Sequence, residues 1–168
     1  MALTVEDNTG LVAADSYISV TDATAYFTLH ASPAAWTAAT TAEKESALRY
    51  AAQWLDSNFA WPGQLFNQEG PQALAWPRFW AWDREGRQLD GVPQAIKDSQ
   101  CEMALQHLSS ALNVVYTGTD YIKSQTVGPV SRTFQDNAPV GRQYRFIRNL
   151  LAAIIGSSSS AVIPLARS

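Results

Sequence analysis

Two histidines, His30 and His107, and one cysteine, Cys101, are all the chain offers in side chains that titrate near neutrality or attack as soft nucleophiles. Cys101 and His107 stand six apart in a helical pattern, about 240° around the axis, so they share no face. The sequence contains no His-Glu-x-x-His, no Cys-x-x-Cys, no phosphate-cradling glycine loop ending in Lys-Ser/Thr and no Gly-x-Ser-x-Gly. The pairs Glu43 with Glu45 and Asp98 with Glu102 read as solvated helix faces, and Cys101 reads as a buried, inert thiol. The expectation is a protein that is no enzyme and carries no cofactor and no metal.

The other side chains suited to a task are aromatic. Six Trp, six Tyr and six Phe in 168 residues fit either a Trp-rich core or an interface, where aromatics and Arg are enriched. Trp76, Phe79, Trp80 and Trp82 lie among Arg78, Arg84 and Arg87, types that stack on bases and reach phosphates. Glu69, Asp83, Glu85 and Asp90 dilute that charge, and a pI near 5.3 lacks the usual basic footprint of nucleic-acid binders. Trp76 and Pro77 are expected to wedge against the helices as a brace for the fold, with Arg78 in an ion pair within or between subunits.

These residues sit in a frame that reads as mainly α. Thr40 and Glu43 form a capping box for a helix from Thr41 to about Asn58, whose apolar stripe is Ala47, Leu48, Ala51, Leu55 and Phe59 with Trp54 beside it. Thr21 is expected to cap a shorter helix from Asp22 to about His30, stopped at Ser32-Pro33. Pro93 suits the first position of the expected central helix, Pro93 to Leu112, with Ile96, Cys101, Ala104, Leu105, Leu108 and Leu112 inward. Arg142 to Ile155 is a further helix, apolar at Phe146, Ile147, Leu150, Leu151, Ile154 and Ile155. Between Phe59 and Gly91, prolines and glycines exclude a long regular element, and Asp83 to Arg87 is expected as an exposed tip. Residues 1–20 read as an extended arm with a short strand.

Around Gly128-Pro129, residues 121–134 read as two strands or one bent strand. A lone hairpin is marginal in water, so a partner for it is expected. The fold class is thus a helical bundle of about four helices with a projecting β-hairpin at 121–135 and extended terminal arms. Residues 1–156 make one domain. Residues 157–168 make a Ser-rich linker and an apolar tail.

The charge of −3 is unevenly spread. Residues 1–120 carry 6 Lys/Arg against 14 Asp/Glu, and 121–168 carry 6 against 1. Copies could stack basic end on acidic flank, the basic third could face another acidic partner or nucleic acid, or it could be a solvated face. With only 16% charged residues, an assembly subunit is favoured over a free monomer. The opening residues lack a charged n-region before an apolar core, and no apolar run is long enough for a bilayer. A soluble intracellular product with no membrane partner is expected.

Ala73-Leu74-Ala75-Trp76-Pro77-Arg78, Val92-Pro93-Gln94-Ala95-Ile96-Lys97 and Ile122-Lys123-Ser124-Gln125-Thr126-Val127-Gly128-Pro129-Val130, with the opening Met1 to Asp7 and Ala14 to Val20, resemble the head-to-tail adaptor proteins of tailed phages. Members of that family are often labelled DnaT-like single-stranded-DNA-binding proteins. The resemblance spans most of residues 1–155. It implies a homo-oligomeric ring, a dodecamer of about twelve copies closed by symmetry, in the virion neck after synthesis in the host cytoplasm. That ring binds the portal protein on one face and a further neck or tail protein on the other. Genomic DNA passes through its channel without sequence-specific binding.

By the same analogy a hairpin carrying Ile122, Lys123, Val127, Gly128, Pro129, Val130, Arg132 and Phe134 joins neighbouring subunits, and a tail of Val162, Ile163, Pro164, Leu165 and Arg167 docks on the portal. The insert Phe79-Trp80-Ala81-Trp82 and the Ser-rich end depart from the family pattern. The alternative is a single-stranded-DNA-binding replication accessory protein, which would bind DNA as a free protein with salt-dependent affinity. A third reading, a helical protein–protein module, needs no ring.

Overall fold

The computed structural model describes residues 2–110, 112, 124–127, 130–133 and 144–155, the two strands 124–127 and 130–133 by their backbone alone. Five helices are described: α1 Val20–Leu29, α2 Ala34–Ala38, α3 Thr41–Asn58, α4 Gln94–Ser109 and α5 Arg145–Ile155. Two short antiparallel pairs accompany them, β1 Gln64–Leu65 with β2 Arg78–Phe79 and β3 Ser124–Val127 with β4 Val130–Thr133. The fold is mainly α. None of the described helices is long and apolar enough to cross a membrane.

The capping box of α3 forms as its sequence dictates. Thr40 Oγ1 accepts the Glu43 N–H, and the Glu43 carboxylate takes the Thr40 N–H at 2.8 Å. Ala47, Leu48, Ala51 and Leu55 are buried, whereas Phe59 is half-buried. Helix α1 starts two residues before the expected Asp22, because Ser19 rather than Thr21 is the cap. Ser19 Oγ accepts the Asp22 N–H and donates its own hydrogen to the Asp22 carboxylate. The short α2 falls where the sequence showed only a stop at Ser32-Pro33. It begins on Pro33 and buries Trp36 against Phe27, ring centroids 4.8 Å apart.

Helices α3 and α4 are the central pair, with α1 against both and α2 and α5 against α4. So many neighbours surround α4 that its burial exceeds any single stripe. Ile96, Cys101 and Ala104 are buried as expected, Leu105 and Leu108 only partly, and Ser99, Gln100 and Met103 join the core. On α5 the buried set is Ile147, Leu151 and Ile154, spaced four and three apart. Phe146, expected inward, is 58% exposed, because its position lies to one side of that stripe.

The amino-terminal segment is not an arm. A parallel bridge joins Val5 to Ser16, the buried Glu6 carboxylate takes the N–H groups of Gly10 and Leu11, and Asn8 Oδ1 takes the Val92 N–H. Tyr17 and Ile18 follow directly into the core. Gln100 of α4 binds this segment to α3: its Oε1 accepts the Tyr17 N–H, and its Nε2 donates to Ser16 Oγ and to the Leu48 carbonyl.

The β3–β4 hairpin is antiparallel, with Ser124 opposite Thr133 and Val127 opposite Val130, which selects two strands over one bent strand. No third strand joins it among the described residues.

Candidate functional site

The aromatic segment is positioned by a buried polar clasp. Trp76 is fully buried, with its ring 6.0 Å from that of Trp61, and the Trp76–Pro77 peptide is cis. Tyr17 donates its hydroxyl hydrogen to Asp56 at 2.6 Å, while Asp56 also takes the Ala75 N–H at 2.9 Å. Burial pushes the Asp56 carboxyl above the usual carboxylate range, against the hydrogen bonds from Tyr17 and Ala75, which oppose it.

Among the described residues Arg78 makes no ion pair within the chain. Its guanidinium donates to three backbone carbonyls, Pro62 at 2.6 Å, Gly63 at 2.8 Å and Ala75 at 3.1 Å. The planar fork thereby ties the segment before β1 to the turn before β2.

That clasp presents an aromatic shelf. The β1–β2 register sets Gln64 opposite Phe79 and Leu65 opposite Arg78, and Phe66 stacks on Phe79 with centroids 4.5 Å apart and planes 24° apart. Trp80 follows, 6.3 Å from Phe79 and 61% exposed. Its backbone lies at φ 51°, left-handed geometry that a bulky side chain adopts only under constraint. Gly63 permits this crossing, since a Cβ there would stand 2.2 Å from the Phe79 carbonyl oxygen. A recess of about 480 Å³ opens beside the shelf, bounded by Phe66, Phe79, Trp80, Asn67, Gln68 and Glu69.

The cations nearby in sequence are already engaged. Arg84 pairs with Glu85 at 3.0 Å and Arg87 with Asp83 at 2.8 Å. The expected exposed tip is partly anchored: Asp83 is buried and takes the N–H groups of Glu85 and Arg87, and the Arg84 N–H bonds the Ala153 carbonyl of α5. Those backbone hydrogen bonds, led by that of Arg87, hold the Asp83 carboxyl below the usual range. The shelf can therefore stack planar groups but offers little to a phosphate.

Of the residues singled out in the sequence, Phe79, Trp80 and the 51%-exposed Trp82 reach the surface, while Trp76 and Arg78 serve the interior. Phe66 was missed. Its tie to Phe79 follows from strand register, and a two-residue strand leaves no alternating pattern to read. Cys101 is buried, and burial pushes its thiol up. His107 stacks on Tyr50 at 4.4 Å. Among the described residues no three His, Cys, Asp or Glu gather to hold a metal ion.

The hairpin positions Val127, Val130 and Arg132 lie in β3 and β4. Ile122, Lys123, Gly128, Pro129 and Phe134, and the tail residues Val162, Ile163, Pro164, Leu165 and Arg167, lie outside the described residues.

A family model described as "Putative DnaT-like ssDNA binding protein" matches residues 1–168. No curated protein and no solved structure matches the chain. The match runs the full length, and the chain belongs to the DnaT-like ssDNA-binding protein family.

Proposed function

We propose that the protein binds single-stranded DNA without sequence preference, by stacking bases on the Phe66–Phe79–Trp80 shelf. The observation that carries this reading is Trp80, an indole held outward at φ 51° beside a stacked aromatic pair. The family description points the same way. Base stacking on an exposed ring contributes about 1–3 kcal/mol per base and tolerates any sequence. With Arg84 and Arg87 paired to carboxylates, few counterions are released at the shelf and the salt dependence is shallow. The role is non-catalytic.

The test is a titration of intrinsic tryptophan fluorescence with an oligothymidylate, on the parent chain and on Trp80→Ala. Quenching that saturates, with affinity about tenfold lower in the variant, supports the reading. Absence of binding, or equal affinity in a variant with an unchanged circular dichroism spectrum, overturns it.

A second reading is favoured by the β3–β4 hairpin, a separate two-stranded sheet that no third strand joins among the described residues. Such a pair gains stability by adding strands from another copy. In this reading the protein is the head-to-tail adaptor that its sequence resembles, a ring in the phage neck between the portal and the next neck or tail component, with DNA passing through its channel. Light scattering with and without the portal, on the full chain and on one ending at Gly156, separates the two. A ring that joins the portal only when the tail is present supports the adaptor, and a monomer that ignores the portal rejects it.

A further inference from the structure

Two surfaces outside the aromatic shelf carry complementary chemistry. The first is the outward side of α5. Its inner side is committed to the core through Ile147, Leu151 and Ile154, which leaves Arg145 exposed on the outward side, with Phe146, 58% exposed, on one flank and the exposed Arg148 on the other. The second is a groove of about 500 Å³ between α1 and the first turns of α4. Leu29, 84% exposed, and Tyr26 give it apolar walls, and Asp22 and Asp98 give it negative charge. Glu102 lies one turn beyond Asp98 and holds the Tyr26 hydroxyl at 2.9 Å. Lys97 is a cation on the same rim.

We infer that the outward face of α5 docks in the α1–α4 groove of a second copy of this chain. Phe146 covers Leu29 and Tyr26, and Arg145 and Arg148 face Asp22 and Asp98. The chain's own groove is not the receptor, because the core holds α5 by the opposite side. The two surfaces differ, so the contact is heterologous and leaves one of each free for further copies. The charge division of the sequence, acidic through residue 120 and basic beyond it, gives such head-to-tail stacking its direction. A duplex or single strand of DNA would meet the arginines of α5 equally well, but it would leave Leu29 uncovered and would not explain the acidic groove.

The test is sedimentation velocity over a concentration series without DNA, on the full chain, on Arg148→Glu and on Asp98→Lys. The parent associates, and added salt weakens the association. Each variant associates at least about tenfold more weakly, since like charges then face each other. An equimolar mixture of the two variants recovers association, because the Asp98→Lys chain keeps an intact α5, the Arg148→Glu chain an intact groove, and the altered pair is complementary. A parent that stays monomeric at all concentrations, variants that match the parent, or a mixture that stays dissociated while circular dichroism shows both folded would each overturn the inference. None of these readouts depends on the shelf or on nucleic acid.

Discussion

The hydroxyl of Tyr17 lies 2.6 Å from the Asp56 carboxylate, and the same oxygen accepts the Trp76 N–H at 3.3 Å. One phenol thus joins the amino-terminal segment, α3 and the turn before β2. Removing it in Tyr17→Phe leaves a half-buried carboxylate short of a donor and a buried amide short of an acceptor. The expected loss is about 2–3 kcal/mol, measured by chemical denaturation.

The pH dependence of that pair follows from the direction of its shift. Burial raises the folded-state value of Asp56 above the value of about 3.9 in the unfolded chain. The native state therefore holds the proton more tightly, and the stability contributed is complete below about pH 3.9 and lost as pH rises through the folded value. Denaturation of the parent and of Asp56→Asn from about pH 3 to 7 should show the parent losing ground to the variant as pH rises. A gap that moves the other way would mean that the hydrogen bonds from Tyr17 and Ala75 outweigh burial.

Gln100 is buried on α4 and satisfies three partners with one amide. Gln100→Met keeps the volume and abandons the Tyr17 N–H and the Leu48 carbonyl. The variant should lose about 3 kcal/mol and melt roughly 6–12 °C lower, by calorimetry. Gln100→Glu should do no better, because a carboxylate accepts from Tyr17 but cannot donate to Leu48.

Arg78 and Gly63 hold the shelf from behind. Arg78→Lys keeps the charge but cannot span three carbonyls, so it should cost about 2 kcal/mol, with tryptophan emission shifted to the red as the segment loosens. Gly63→Ala meets the Phe79 carbonyl at 2.2 Å and should be worse still. Gly86→Ala has the same left-handed backbone but open space around its Cβ, and should cost only about 1–2 kcal/mol.

Trp80 packs little and is strained, so Trp80→Gly should leave the melting temperature within a few degrees of the parent or raise it, because φ 51° suits glycine. Loss of oligothymidylate binding without loss of stability would assign Trp80 to the ligand rather than to the fold.

The elements whose signals are local could be read along the chain. The Thr40–Glu43 capping box needs only four residues, the α3 stripe repeats with the helical period, and the β-branched residues of 124–127 and 130–133 favour strands, so each was legible before any contact was known. The mainly α class followed from them. Ser99 and Gln100 were left out of the inward stripe and Phe146 was placed in its own, because helical period says which residues share a face, not how many faces are covered. Neighbours on several sides drew polar residues of α4 inward, and the short stripe of α5 left a phenylalanine outside. Long-range contacts placed the amino-terminal segment in the core, through Tyr17, Glu6 and Asn8, and set Arg78 against three backbone carbonyls. The same holds for the shelf, since Phe66 and Phe79 are thirteen positions apart and meet through a strand pairing two residues long. Long-range hydrogen bonds and burial set these positions, and neither leaves a period in the chain.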